Sequence, residues 1–349
     1  MAIPTIVWSQ NHIRIIDQRK LPLQLKFVTC KNVSQLWRAI RTLAVRGAPA
    51  LGAAAAFGVL LGLKQIKTKE RKSFDAQIKK LCHYIGSSRP TAVNLFNALD
   101  RMQCILRDHP DASVLKARKL LFQEAMAIFE EDRWVCRQMG IHGAKLIKNG
   151  SRILTICNAG SLATVDFGTA LGVMYSAKKA GKKFKVFACE TRPLLQGARL
   201  TAWELTREKV DTTLVCDSMA ASLMAQGQID IIFAGADRIA SNGDTANKIG
   251  TYSLAVLAHY HRIPFYIVAP EMTFDKNIQS GKQIVIEQRD GKEITFLAGK
   301  RIAPLGVKTY NPSFDVTPHR LITGIVTEKG IIRPSFKKNI YKHFIGHDR

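Results

Sequence analysis

A chain of 349 residues exceeds what one core usually supports, which predicts a smaller lobe beside a main domain. Its apolar content of 46% is that of an ordinary globular protein, and no uncharged apolar run of about 18 residues is present to cross a bilayer, so no membrane partner is expected. The formal charge of +25 raises nucleic acid as a partner, but the basic residues fall in short scattered groups with no aromatic side chains between them, so a solvated basic surface is expected instead.

The start, Met1-Ala2-Ile3-Pro4, has no basic segment followed by an apolar one, which predicts a cytoplasmic protein without a secretory signal. The seven cysteines are scattered and contain no CxxC pair, so neither a zinc or redox motif nor a disulfide framework is expected.

Residues 6–17 carry alternating apolar side chains and predict a short hairpin. Helical spacing follows over residues 33–43. Arg46-Gly47-Ala48-Pro49-Ala50 then interrupts before an apolar helix over residues 51–63, and Pro49 suits the first turn of that helix because its missing N–H would have no partner there. Gly47 and Ala48 thus precede a helix N-terminus, whose free N–H groups attract anions, although a plain connection between helices has the same sequence pattern. Further helices are predicted over residues 74–85, 92–106 and 112–139. Between the first two, Ser88-Arg89-Pro90-Thr91 sets Arg89 near a positive helix end, an odd place for a cation unless an anion joins it. An exposed surface arginine is the alternative.

Beyond residue 139 the pattern changes. Apolar runs over residues 152–157, 184–189, 212–216, 229–234 and 265–269 alternate with helical spacing, which predicts βαβ units in a parallel sheet. Residues 283–287 and 294–297 predict a hairpin turning at Asp290-Gly291, and residues 315–330 a short helix and a closing strand. The expected architecture is α/β, with residues 1–139 a mainly helical N-terminal domain containing a short β-hairpin. Residues 140–349 are expected to form a Rossmann-like catalytic domain, a mostly parallel sheet with helices on both faces.

In such a sheet ligands bind beyond the carboxyl ends of the strands, where this sequence places Cys157-Asn158, Glu190-Thr191-Arg192, Asp217-Ser218 and Asp237-Arg238. Cys157 is either a thiol facing the crevice, near a helix end that favours thiolate, or a small buried apolar residue. Asp237 is a candidate acid or base whose pKa an apolar pocket would raise, and pairing with Arg238 or capping a turn is the competing assignment. Asn247-Lys248 lie where a helix is expected to start and suit an anion, or form a plain first helical turn. Gln196 is by itself a polar residue at a helix start. Asn158-Ala159-Gly160-Ser161 lacks the full dinucleotide fingerprint and no P-loop is present, so no nucleotide cofactor is expected.

Taken in order, several of these stretches resemble the methylthioribose-1-phosphate isomerase family of methionine salvage. They are Arg46-Gly47-Ala48-Pro49-Ala50, Ser88-Arg89-Pro90-Thr91, Thr155-Ile156-Cys157-Asn158-Ala159-Gly160, Glu190-Thr191-Arg192-Pro193 with Gln196-Gly197-Ala198-Arg199, Gly235-Ala236-Asp237-Arg238, Gly243-Asp244-Thr245-Ala246-Asn247-Lys248-Ile249-Gly250-Thr251 and Phe314-Asp315-Val316-Thr317-Pro318. The resemblance implies an aldose–ketose isomerase that turns S-methyl-5-thioribose 1-phosphate into S-methyl-5-thioribulose 1-phosphate as a homodimer, without cofactor or metal. It places the catalytic pair at Cys157 and Asp237 and the phosphosugar contacts at Arg46, Gly47, Ala48, Arg89, Gln196, Asn247 and Lys248. Ile156 stands where the family commonly has histidine.

The same superfamily holds ribose-1,5-bisphosphate isomerases and the non-enzymatic regulatory subunits of the exchange factor for translation initiation factor two. The latter would not be expected to carry both Cys157 and Asp237. Because phosphate blocks the anomeric oxygen of the implied substrate, an acid must protonate the ring oxygen as the C1–O bond breaks, and the resemblance gives this task to Asp237. Cys157 then either takes the C2 proton or shapes the site for a hydride shift from C2 to C1.

Overall fold

The computed structural model describes residues 3–90 and 92–345; Thr91 of the Ser88-Arg89-Pro90-Thr91 motif, Met1-Ala2 and residues 346–349 lie outside the described residues. The chain forms two compact units, one made of Met1–Cys136 with Gly160–Gly168, the other of Arg137–Ala159 with Thr169–Arg349.

The first unit begins with β1 (Ile6–Ser9) and β2 (His12–Ile16), paired antiparallel with Ser9 opposite His12. Gln10 and Asn11 turn between them with φ of 46° and 62°, the left-handed pair that a two-residue hairpin turn requires. A third strand, β3 (Phe27–Cys30), pairs with β2 on its other edge and was not anticipated from the sequence. Five helices follow: α1 (Val33–Arg41), α2 (Ala48–Leu63), α3 (Arg71–Gly86), α4 (Val93–Asp108) and α5 (Val114–Ala144), the last running on into the second unit. Every residue of α2 from Ala50 to Leu63 is buried, as its all-apolar sequence requires, so the other elements pack around it.

The second unit is built on a seven-stranded sheet. In chain order its elements are β4 (Arg152–Thr155), α6 (Ala170–Lys179), β5 (Lys185–Cys189), α7 (Ala202–Arg207), β6 (Asp211–Val215), α8 (Ala220–Ala225) and β7 (Ile231–Ala234). Then come β8 (Arg238–Ala240), β9 (Thr245–Lys248), α9 (Thr251–Tyr260), β10 (Phe265–Val268), β11 (Phe274–Asp275), α10 (Lys292–Thr295), β12 (Phe296–Leu297), β13 (Lys300–Arg301), β14 (Phe314–Thr317), β15 (Gly324–Thr327), β16 (Gly330–Ile332) and α11 (Phe336–Ile345). The main sheet runs β16-β15-β10-β7-β4-β5-β6, all parallel except the edge strand β16. From β4 the chain adds strands outward on one side, then returns and adds β7, β10 and β15 on the other. The strand order therefore reverses between β4 and β7, the place where open α/β sheets bind ligands.

Three expectations are corrected. Asn247 and Lys248 do not start a helix: they end β9, which is paired on one edge with β8 and on the other with β14, Asp315 lying opposite Asn247. The predicted hairpin lies further along, as β12 and β13. Asp290 instead precedes α10, accepting the Lys292 N–H at 2.8 Å, and Ala298-Gly299, both at positive φ, make the turn. Residues 315–330 contain two strands, β14 and β15, joined by a single 3₁₀ turn at His319–Leu321.

Candidate active site

Cys157 and Asp237 follow β4 and β7, neighbours in the sheet whose register pairs Thr155 with Phe233. The two strand ends flank the reversal of strand order. The Asp237 N–H donates to Ala246 O at 2.9 Å, which ties the end of β7 to β9. The Arg238 guanidinium reaches Asp275 at 3.7 Å, so it has an acidic partner on β11.

Cys157 is half-buried and sits in the left-handed region at φ 63°. Its N–H donates to Thr191 Oγ1 at 2.8 Å and its carbonyl accepts from Thr201 Oγ1 at 2.6 Å. Next to it, Asn158 Nδ2 donates to Glu204 Oε1 at 2.7 Å, and Tyr175 OH donates to Glu204 Oε2 at 3.1 Å. Burial, reinforced by Glu204, pushes the Tyr175 hydroxyl far above its ordinary pKa, so it keeps its proton and donates to Glu204.

Gln196 caps a π-helical turn, Gly197–Thr201, that leads into α7. Gly197 is required there, since a Cβ would stand 1.7 Å from Cys189 O, and the close approach seats Gln196 against the end of β5. Gln196 is 7% exposed and its Oε1 has no hydrogen-bond partner among the described residues, a costly state unless a donor arrives. Lys248 is equally enclosed at 8% exposure; its Nζ donates to Ser313 O at 2.9 Å and lies 4.8 Å from the centre of the Phe314 ring. Asn247 Nδ2 donates to Thr251 Oγ1 at 3.0 Å.

The α9 N-terminus itself is filled by the protein. Asp315 accepts the Gly250 N–H at 2.7 Å and the Tyr252 N–H at 3.1 Å, so this helix end offers these N–H groups to a protein carboxylate rather than to a ligand. Burial pushes the Asp315 carboxyl up to about 6, against the pull of these two N–H groups and of Lys248. The folded value lies above the unfolded one of 3.8, so this group's contribution to stability is complete below about pH 4 and is lost as pH rises through about 6. Asp315→Asn cannot ionise but accepts only one of the two N–H groups, so it carries a constant cost at the cap, and its stability relative to the parent is expected to rise by up to about 3 kcal/mol between pH 4 and pH 7.5. Below pH 4 the difference between the two should be constant, and melting temperatures across that range check it.

In the first unit, Gly47 precedes α2 with φ 94°, and Pro49 occupies the first turn as expected. A Cβ on Gly47 would lie 2.3 Å from Ala163 O, so the segment Gly160–Gly168 packs directly on the Arg46-Gly47-Ala48 turn. Gln18 links the two: its Nε2 donates to Leu162 O at 2.7 Å and its Oε1 accepts from Arg46 Nε at 3.0 Å. Arg89 is half-buried in the turn that closes α3, its N–H donating to Gly86 O at 3.3 Å. Asn94, in the first turn of α4, keeps both amide atoms buried without a partner among the described residues, a feature with no signal in the sequence pattern. Among the described residues no group of His, Cys, Asp or Glu is placed to hold a metal, and no helix is long and apolar enough to cross a membrane.

A doubly wound α/β sheet with an acid and a thiol at its reversal point defines the class. The particular lineage follows from comparison: residues 44–334 match the initiation factor 2 subunit family, and the chain belongs to it. It is 53% identical over 338 residues, 97% of both chains, to the methylthioribose-1-phosphate isomerase of Thermotoga maritima. The solved 5-methylthioribose 1-phosphate isomerase of Pyrococcus horikoshii OT3 superposes with a TM-score of 0.93 at 44% identity, over 99% of this chain and 96% of that one. A protein of A. fulgidus described as translation initiation factor eIF-2B subunit delta gives 0.88 at 45%, over 98% and 99%.

Proposed function

We propose that this chain converts S-methyl-5-thioribose 1-phosphate into S-methyl-5-thioribulose 1-phosphate, an intramolecular aldose–ketose oxidoreduction. The observation that carries the reading is the standing of Asp237 and Cys157 on the two strand ends that flank the sheet's reversal, in a chain half identical to an isomerase of that name. Asp237 protonates the ring oxygen as the C1–O bond breaks, and Cys157 serves the transfer of hydrogen from C2 to C1. Lys248 and Asn247 bind phosphate, and Gln196 Oε1, without a partner among the described residues, accepts from a sugar hydroxyl. The Arg46-Gly47-Ala48 turn and Arg89 are further phosphosugar contacts. In this reading residues 1–139 are a mainly helical N-terminal domain and residues 140–349 the catalytic domain.

The reading extends to a cytoplasmic homodimer. Tyr252, Val256 and Tyr260 recur every fourth residue on α9 and are all exposed, an apolar stripe suited to a second copy.

A direct assay of the purified chain tests the reaction. Methylthioribose 1-phosphate is expected to turn over, with ribose 1,5-bisphosphate much the poorer substrate, because a C5 phosphate needs cations where a methylthio group needs apolar walls. Turnover of neither would favour a role as a subunit of translation initiation factor eIF-2B, the description that the A. fulgidus relative carries.

A further inference from the structure

Two adjacent strand ends carry an unusual backbone: Cys157 after β4 and Thr191 after β5 are both left-handed, with φ of 63° and 66°. For β-branched threonine this region is a steric outlier, and glycine would adopt it freely. Thr191 is fully buried, and its hydroxyl shows what the side chain contributes. Oγ1 accepts the Cys157 N–H at 2.8 Å and donates to Cys189 O at 3.0 Å, so both its donor and an acceptor site are in use. Thr191 is itself held from the end of β6, where Asp217 accepts the Thr191 N–H at 2.8 Å and the Arg192 N–H at 2.7 Å. On the far side of Cys157, Thr201 Oγ1 donates to the Cys157 carbonyl and accepts from Asn158 Nδ2 at 3.1 Å. The peptide groups before and after Cys157 are therefore both fixed by side chains.

We infer that Thr191, oriented by Asp217, is a positioning residue that holds Cys157 in its left-handed conformation and so aims the thiol for the isomerisation. This rests on the role of Cys157 proposed above. Strain at a strand end persists only where surrounding bonds enforce it, and here the enforcing bonds converge on the one cysteine of the chain that stands at the reversal point. Asp217, which the sequence offers as another polar strand-end group, acts on backbone N–H groups two strands away from Asp237.

The test compares Thr191→Val, which keeps the branched shape without the hydroxyl, with Thr191→Ser, which keeps the hydroxyl. Thr191→Val is expected to lose about a hundredfold in kcat, as small misplacements of reacting groups do, with KM held within about threefold. Thr191→Ser should recover most of the loss. The rate of iodoacetamide alkylation at Cys157, resolved from the other cysteines by mass spectrometry, should change in the valine variant and return in the serine one. Near-parental kcat in Thr191→Val, or a serine variant as poor as the valine one, overturns the inference. If the valine variant does not fold, Asp217→Asn decides: a lower kcat at constant KM supports the inference and an unchanged kcat overturns it. Cys157→Ala separates the two layers. Its full activity would sink the reading of Cys157 and the inference together, whereas an inactive Cys157→Ala beside an active Thr191→Val sinks the inference alone.

Discussion

Asparagine in place of Asp237 is expected to lower kcat by about a thousandfold, the scale of a lost general acid, while phosphosugar binding survives. The amide has the carboxylate's shape and cannot deliver a proton to the ring oxygen. The backbone bond from the Asp237 N–H to Ala246 O, which ties the end of β7 to β9, is left in place by the substitution. The partner of the neighbouring cation is also untouched, because Arg238 reaches Asp275. Steady-state kinetics measure the loss and calorimetric titration with the phosphosugar measures what remains. Parental turnover would remove Asp237 from the chemistry, and a parallel loss of affinity would make it a binding group rather than an acid.

What the sequence revealed of this site is its strand ends. Four apolar runs of strand length, each ending in a polar or ionisable residue, are a local pattern, and β4, β5, β6 and β7 lie where those runs stand. Sequence could not rank the four ends. Asp217 and Asp237 look alike as acids after a strand, and only the bonds from the Thr191 and Arg192 N–H groups show that Asp217 serves the backbone. Asn247-Lys248 were misplaced for a similar reason. Four residues, Thr245–Lys248, are too few to show a period of two, and the strand that pairs with them, β14, follows more than sixty residues later, as the 65-residue separation of Lys248 and Ser313 shows. The α9 start that the pattern detects is real but begins at Thr251, and the carboxylate that caps it, Asp315, comes from that same distant strand. The close packing at Gly47 was beyond reach too, because the chain that touches it, Gly160–Gly168, comes from a loop more than a hundred residues later.

Methionine in place of Lys248 is expected to raise KM for the phosphosugar about a hundredfold while leaving the fold as stable as before or more so. An ammonium carries three donors, and among the described residues one of them is used, by Ser313 O. Among the described residues two N–H groups of this enclosed cation are thus without a hydrogen-bond acceptor, and the charge is offset only by the more distant Asp315 carboxylate, a state that a bound anion would improve. Each charge-assisted hydrogen bond to phosphate is worth about 1.5–3 kcal/mol, so losing the pair reaches or exceeds the hundredfold scale. Methionine fills similar volume and its sulfur suits the face of Phe314, over which the ammonium now lies. The Ser313 carbonyl keeps a partner in the Ile249 N–H at 3.1 Å, so no new buried acceptor is orphaned. Binding and stability therefore move apart in this variant, which a structural lysine would not permit: a lower melting temperature with KM unchanged would reduce Lys248 to a strut for β14. A higher KM with the melting temperature held shows that the enclosed cation is kept for its ligand, at the expense of the apo fold.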